Sequence, residues 1–196
     1  VAINHKKVKS GDANRNLRIY NKIKKERTLN AREQYYYSRE LFDHKKYKQC
    51  ITNLQKLQKM PNVWTENRIE SLNILSQCYQ NLGDKEKSLM YLFQTFKYDT
   101  PRANICCKIA DYFYSNQIYE QSLYWYKQAT FAKDVIDKGG FVEQVYYNYY
   151  PYMGLCCSYF YLKDYQKSNY YNEKAGEIKQ TKEFLLNKKL LENFMK

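Results

Sequence analysis

Histidine is almost missing from this chain: two in 196 residues, His5 and His44, far apart in sequence. That excludes a histidine-rich metal centre, and no His–Asp–Ser or His–Cys constellation is visible. The six cysteines include no Cys-x-x-Cys pair, so a zinc site has no framework. No run of 18 apolar residues occurs, so no segment reads as a membrane-spanning helix. Six glycines and three prolines leave little room for a phosphate-cradling loop or a Gly-x-Ser-x-Gly turn, and neither motif is present. No signal peptide is visible, and the chain begins with Val1, so it reads as a piece of a longer protein. These absences exclude the common catalytic classes, and the fragment alone is expected to be no enzyme.

Tyrosine is abundant, at 23 residues, and the net charge is +13. The charge is uneven: residues 1–60 hold 16 Lys/Arg and 5 Asp/Glu, whereas residues 61–196 hold 17 and 15. Basicity therefore belongs to one end. It suits a solvated lysine-rich face, or a nucleic acid, an anionic membrane surface or an acidic neighbouring domain. Cys50, Cys78, Cys106, Cys107, Cys156 and Cys157 fall in segments read as helices, where a small apolar side chain fits. They read as buried free thiols, which points to a reducing, cytoplasmic setting.

The organising feature is a period of 34 residues. Leu72, Leu75, Ser76, Tyr79, Ser88, Leu92 and Thr95 recur 34 positions later as Cys106, Ile109, Ala110, Phe113, Ser122, Tyr126 and Ala129. This is the spacing of the tetratricopeptide (TPR) repeat, a helix–turn–helix unit that stacks on copies of itself. Small residues recur where two helices approach, and large ones fill the space beside them. The expected fold is all-α: a right-handed TPR superhelix of about four repeats with a capping helix at each end.

Residues 1–13 read as a linker or the tail of an upstream domain. Asp12 or Asn14 can cap a basic helix over 14–26 whose apolar side is Leu17, Ile19, Tyr20 and Ile23. Repeats are read at 31–59, 69–98, 103–130 and 149–175. Two irregularities interrupt them. Cys50 to Ser88 spans 38 residues, with the excess around Pro61, and Ser122 to Ser168 spans 46. The second breaks the register between 131 and 150 and places an insertion at 131–148, with Gly139-Gly140 and the aromatic run Phe141, Tyr146, Tyr147, Tyr149 and Tyr150; it is either a partner-binding loop or a lengthened helix. Asp134 and Asp137 lie within it, but two acids in a lysine-bearing loop do not by themselves mark an acid–base pair. A capping helix is read at 181–195, with Phe184, Leu185, Leu190, Leu191 and Phe194 as its apolar stripe.

In such an array the first helix of each repeat lines a concave groove. Its groove-facing positions are Tyr35, Arg39 and Phe42; Asn73, Gln77 and Gln80; Cys107, Asp111 and Tyr114; and Met153, Cys157, Phe160 and Tyr161. The groove is polar in the middle and aromatic at both ends, which suits an extended peptide. Tyr35 and Arg39 stand where one sub-class of these arrays carries a Lys-x-x-x-Asn carboxylate clamp, so that clamp is not expected. Phe160 and Tyr161 can equally cover the C-terminal helix.

A more specific resemblance follows from several strings. His5 with Ser10-Gly11-Asp12, then Arg15-Asn16-Leu17-Arg18-Ile19-Tyr20, resembles the junction between catalytic domain and repeats in bacterial family 2 glycosyltransferases. Tyr36-Tyr37 with Glu40-Leu41, Trp64-x-Glu66, Tyr98-Asp99-Thr100-Pro101-Arg102-Ala103, Cys106-Cys107 and Trp125-Tyr126 are similar to the region that follows. The resemblance implies a parent transferase that uses a nucleotide sugar and a divalent metal in an upstream GT-A domain. It implies for His5 a part in holding the metal or diphosphate, with no cofactor in this fragment. The repeats would then bind a protein or peptide acceptor, or pair two copies. The competing readings are a peptide-binding TPR module of a regulator and, ranked last, a basic nucleic-acid-binding array.

Overall fold

The computed structural model describes residues 12, 14–133, 136, 139 and 142–195; among these there are helices and no strand. The helices are α1 Arg15–Glu26, α2 Ala31–Asp43, α3 Tyr47–Lys59, α4 Thr65–Asn81, α5 Lys85–Gln94, α6 Ala103–Ser115, α7 Tyr119–Phe131, α8 Tyr149–Tyr161, α9 Tyr165–Ile178 and α10 Lys182–Phe194. The chain divides into two compact units, Val1–Val63 and Trp64–Lys196.

In unit 1, α2 and α3 form one antiparallel pair and α1 packs on α2. Leu41, Cys50, Leu54 and Leu57 are fully buried between the paired helices. Asn30 opens α2 with a capping box: its Oδ1 accepts the Glu33 amide at 2.9 Å, and the Glu33 carboxylate accepts the Asn30 amide at 3.0 Å. On α1 only Leu17 is buried, and Ile19 is 44% exposed, which corrects the apolar side read from sequence. Residues two positions apart on a helix lie about 200° around its axis, so Leu17 and Ile19 cannot share a face. Asn14 occupies the cap position without a side-chain bond, and Asp12 Oδ1 accepts its amide at 3.0 Å.

Unit 2 holds three helix pairs, α4–α5, α6–α7 and α8–α9, followed by α10 against α9. Small polar residues meet where helices cross. Ser76 and Ser88 hydroxyls lie 2.9 Å apart within one pair, and Ser122 and Ser158 hydroxyls 3.1 Å apart between the next two. Close approach also explains Gly154, whose α-carbon faces the Tyr126 ring so closely that a Cβ would fall inside it. α4 begins at Thr65, a full turn before residue 69. On α10, Phe184 and Leu191 are buried, whereas Leu185, Leu190 and Phe194 are 55, 43 and 48% exposed. The five-residue stripe is therefore narrower than the sequence suggests. Phe184 and Leu191, seven apart, share one face, and their neighbours rotate outward by about 100° per residue.

Candidate functional site

In unit 2 the first helices α4, α6 and α8 are tied side by side by polar side chains. Lys108 Nζ of α6 donates to Asn73 Oδ1 of α4 at 2.6 Å, and Asn73 Nδ2 donates to the Glu70 carboxylate at 3.1 and 3.3 Å. One turn further along α6, Asp111 accepts the Tyr126 hydroxyl at 2.5 Å and the Tyr150 hydroxyl of α8 at 3.0 Å. Burial pushes Lys108 below the ordinary lysine value, opposed by Glu70, Glu143 and Asp111. Burial likewise raises the Asp111 carboxyl, while its two tyrosine hydrogen bonds hold it back.

The groove-facing residues of the sequence reading fare differently. Gln77 is half-buried, its Nε2 donating to the Asn73 carbonyl at 3.4 Å, and Gln80 is exposed. Asn73 is 4% exposed with its amide committed to Glu70 and Lys108, so it holds the face together rather than offering itself to a ligand. Cys107 is fully buried beneath the insertion, its thiol donating to the Tyr146 carbonyl at 3.9 Å. Beside Gln77 and Gln80 a cavity of about 200 Å³ opens between α4, α5 and α6, with Lys108 and Asp111 on its wall and Leu89 and Leu92 beneath.

The aromatic end lies on α6 and α8. Tyr161 stacks on Tyr119 at 4.9 Å and 6° and meets Tyr114 edge-on at 5.9 Å. Phe160 packs edge-on against Phe194 of α10 at 5.3 Å, so it does cover the last helix. Met153 is half-buried on α8. A second cavity of about 160 Å³ lies between α8 and α10, lined by Tyr114, Cys157, Phe160, Tyr161 and Leu190 among others. In unit 1, Tyr35 is buried, with its ring edge-on to Tyr36 at 5.2 Å. The exposed Arg39 lies over the Tyr35 ring at 5.8 Å, and Phe42 packs on Tyr47 at 5.8 Å.

The sequence reading passed over Lys108, and it read Tyr126 as a packing position and Tyr150 as an aromatic of the insertion rather than as partners of Asp111. One signal was available for the first: Lys108 is a lone charge inside the apolar run Ile105–Ala110. It also missed a buried ion triad. Arg102 Nη1 and Nη2 each donate to one Glu66 oxygen at 2.8 Å, and Nη2 also donates to Asp99 Oδ2 at 3.0 Å. These three residues belong to the strings Trp64-x-Glu66 and Tyr98–Ala103 that carried the family resemblance, and what they do here is fasten the start of α4 to the start of α6. Among the described residues no three metal-ligating side chains lie together, and no helix is long and apolar enough to cross a membrane. His5, Asp134, Asp137, Gly140 and Phe141 fall outside the described residues.

No family model matches this sequence, and no curated protein matches it. Solved structures do match. BtubC (BKLC) from P. vanneervenii superposes with a TM-score of 0.69 at 11% identity, over 93% of this chain and 81% of that one. PilF from Pseudomonas aeruginosa gives 0.61 at 14% identity, over 85% and 69%. PlcR from Bacillus thuringiensis, solved with the peptide PapR7 and DNA, gives 0.59 at 20% identity, over 91% and 69%. At these identities the likeness is one of fold. The chain has an all-α, TPR-type helical-repeat fold.

Proposed function

We propose that unit 2 holds an extended peptide segment of a protein partner across the first helices α4, α6 and α8. The observation that carries this reading is the cavity of about 200 Å³ beside Gln77 and Gln80. Its rim offers side-chain amides to a peptide backbone, and its floor of Leu89 and Leu92 offers burial to one side chain. A dry cavity near 150 Å³ is enough to hold benzene, so this space takes one aromatic or branched aliphatic group. The likeness in fold to PlcR, whose structure holds the peptide PapR7, supports the same reading.

The test begins with a displayed library of random peptides panned against the chain. A selected peptide is then titrated against wild type and against a Gln77→Ala/Gln80→Ala variant of equal thermal stability. We expect about 10-fold or greater weakening in the variant, the loss of roughly 1.4 kcal/mol or more. Unchanged affinity in the variant would place the peptide elsewhere and remove this reading.

Two settings for the module stand beside each other. The likeness to PlcR favours a regulator that senses a peptide. The junction and repeat strings favour the acceptor-binding or self-pairing region of a family 2 glycosyltransferase, whose nucleotide sugar and divalent metal would belong to an upstream catalytic domain. Glu66, Asp99 and Arg102 now have a structural reason to be where they are, which weakens those strings as marks of a transferase. The regulator is therefore the better supported of the two.

A further inference from the structure

Part of the first-helix face of unit 2 is already covered by the chain itself. Within the insertion, Gly139 sits so close to the Trp64 ring at the start of α4 that a Cβ would come within 3.2 Å of it. It returns to α8 through a 3₁₀ turn, Gln144–Tyr147. On the way, the Glu143 carboxylate lies near enough to Lys108 to favour its charged form. Three residues later Tyr146 caps Cys107 with its carbonyl and sets its ring 5.1 Å from Tyr150, the residue that donates to Asp111. An exposed acid therefore lies within electrostatic reach of the half-buried lysine, and an aromatic ring packs on the wall made by α6 and α8.

We propose, building on the peptide-binding reading above, that this part of the face recognises an acidic residue followed three positions later by a tyrosine, and that Glu143 and Tyr146 fill the site in cis as an internal ligand. The physical reasons are complementary. Lys108 is half-buried, and among the described residues its hydrogen bond goes to a neutral amide, so an added carboxylate lowers the cost of its charge. The ring of an incoming tyrosine buries apolar area against Tyr150 while its polar end stays at the rim. A tethered ligand acts at an effective concentration on the order of 1 mM, so a segment that binds the open face with a Kd of about 10 μM suppresses an outside competitor about 100-fold. The partner is then a protein segment of like chemistry that binds better than the insertion, or at more than one point.

The probe is a fluorescently labelled synthetic peptide of the sequence Val142–Asn148. It is titrated against the intact chain and two opened forms. One replaces residues 133–147 with an eight-residue Gly/Ser linker, the length that joins α5 to α6. The other is a full-length Glu143→Ala/Tyr146→Ala variant, which leaves the chain length and the rest of the packing in place should the linker form fail to fold. We expect the opened forms to bind the peptide at least about 10-fold tighter than the intact chain, and a peptide carrying Glu143→Lys and Tyr146→Ala to lose that gain. A folded opened form that ignores the peptide at 1 mM, or binds the altered peptide equally, overturns the proposal. If that same form still binds library peptides in a Gln77- and Gln80-dependent way, the groove reading stands and only the cis ligand falls; if it binds neither, both fall.

Discussion

At the scale of single residues, the six cysteines show how much burial and neighbours separate chemically identical groups. None is in a disulfide, and five are buried. Burial pushes the Cys106 thiol up to about 12, so at neutral pH it has almost no thiolate. Cys157 is half-buried in the cavity between α8 and α10 and moves the other way, lowered first by a hydrogen bond from the Cys156 thiol and further by Tyr114. Iodoacetamide at pH 7.5, followed by peptide mapping, should therefore label Cys157 first and leave Cys106 unmodified in the folded chain. Labelling of Cys106 or Cys107 ahead of Cys157 would mean that the α6 thiols are open to solvent. The sequence placed all six on helices, but it could not separate them. Cys106-Cys107 and Cys156-Cys157 are the same dipeptide, and the difference lies in Tyr146 above one pair and in the cavity beside the other.

At the scale of elements, each helix pair turns through one residue in the left-handed backbone region: Lys45, Gly83, Gln117 and Lys163. Their spacings, 38, 34 and 46 residues, repeat those from Cys50 through Ser88 and Ser122 to Ser168. The register of the turns was thus legible from the small residues alone. Their backbone conformation was not, because a glycine marks it in one pair only. A side chain in this region costs roughly 1–2 kcal/mol, offset in part by the greater chain entropy glycine loses on folding. Gln117→Gly and Lys163→Gly should each stabilise the fold by up to about 1 kcal/mol in urea titrations, and Gly83→Ala should destabilise it by a similar amount. No atom lies within 4 Å of the missing Gly83 Cβ, so that loss would be conformational and not a clash. A decrease in stability for both glycine variants would show that these turns are held by their side chains instead.

The start of α2 has its own pH signature. Hydrogen bonds from Arg27 first, and then from the Asn30 amide, lower the Glu33 carboxyl from 4.5 to about 2. A carboxyl depressed on folding contributes stability that is fully present above its unfolded value and lost as pH falls through its folded one. The contribution should therefore fade between about pH 4.5 and pH 2, and Glu33→Gln should flatten the acid limb of the stability curve in that window. An identical acid limb in the variant would show that other carboxylates govern it.

At the scale of the whole molecule, the sequence period was enough for the fold, because repeats display their packing positions at a fixed interval. The first-helix face was only half legible. Counting along each helix found Gln77 and Gln80, but it could not foresee that Asn73 and Asp111 would be engaged by Lys108, Tyr126 and Tyr150 from other helices. The Glu66–Arg102–Asp99 triad was illegible for the same reason: Glu66 is joined to Arg102 across 36 residues by the stacking itself. Arg102 is 8% exposed, so Arg102→Ala would leave the buried Glu66 and the half-buried Asp99 without their cation. The expected cost is about 3–5 kcal/mol in urea unfolding. A loss below 1 kcal/mol would mean that water reaches the carboxylates freely.

That triad also changes how unit 2 should come apart under load. A stack of repeats held only by nearest-neighbour packing peels from its end one helix pair at a time, each with its own small force peak. Here Glu66 near the first turn of α4 is fastened to Arg102 at the head of α6, so the α4–α5 pair lies inside a loop closed by two charge-assisted hydrogen bonds. Pulled from Lys196 in an optical trap, the α8–α9 and α10 segments would extend first, and the last two helix pairs would then yield as a single, larger step. In the Arg102→Ala chain that step would split in two.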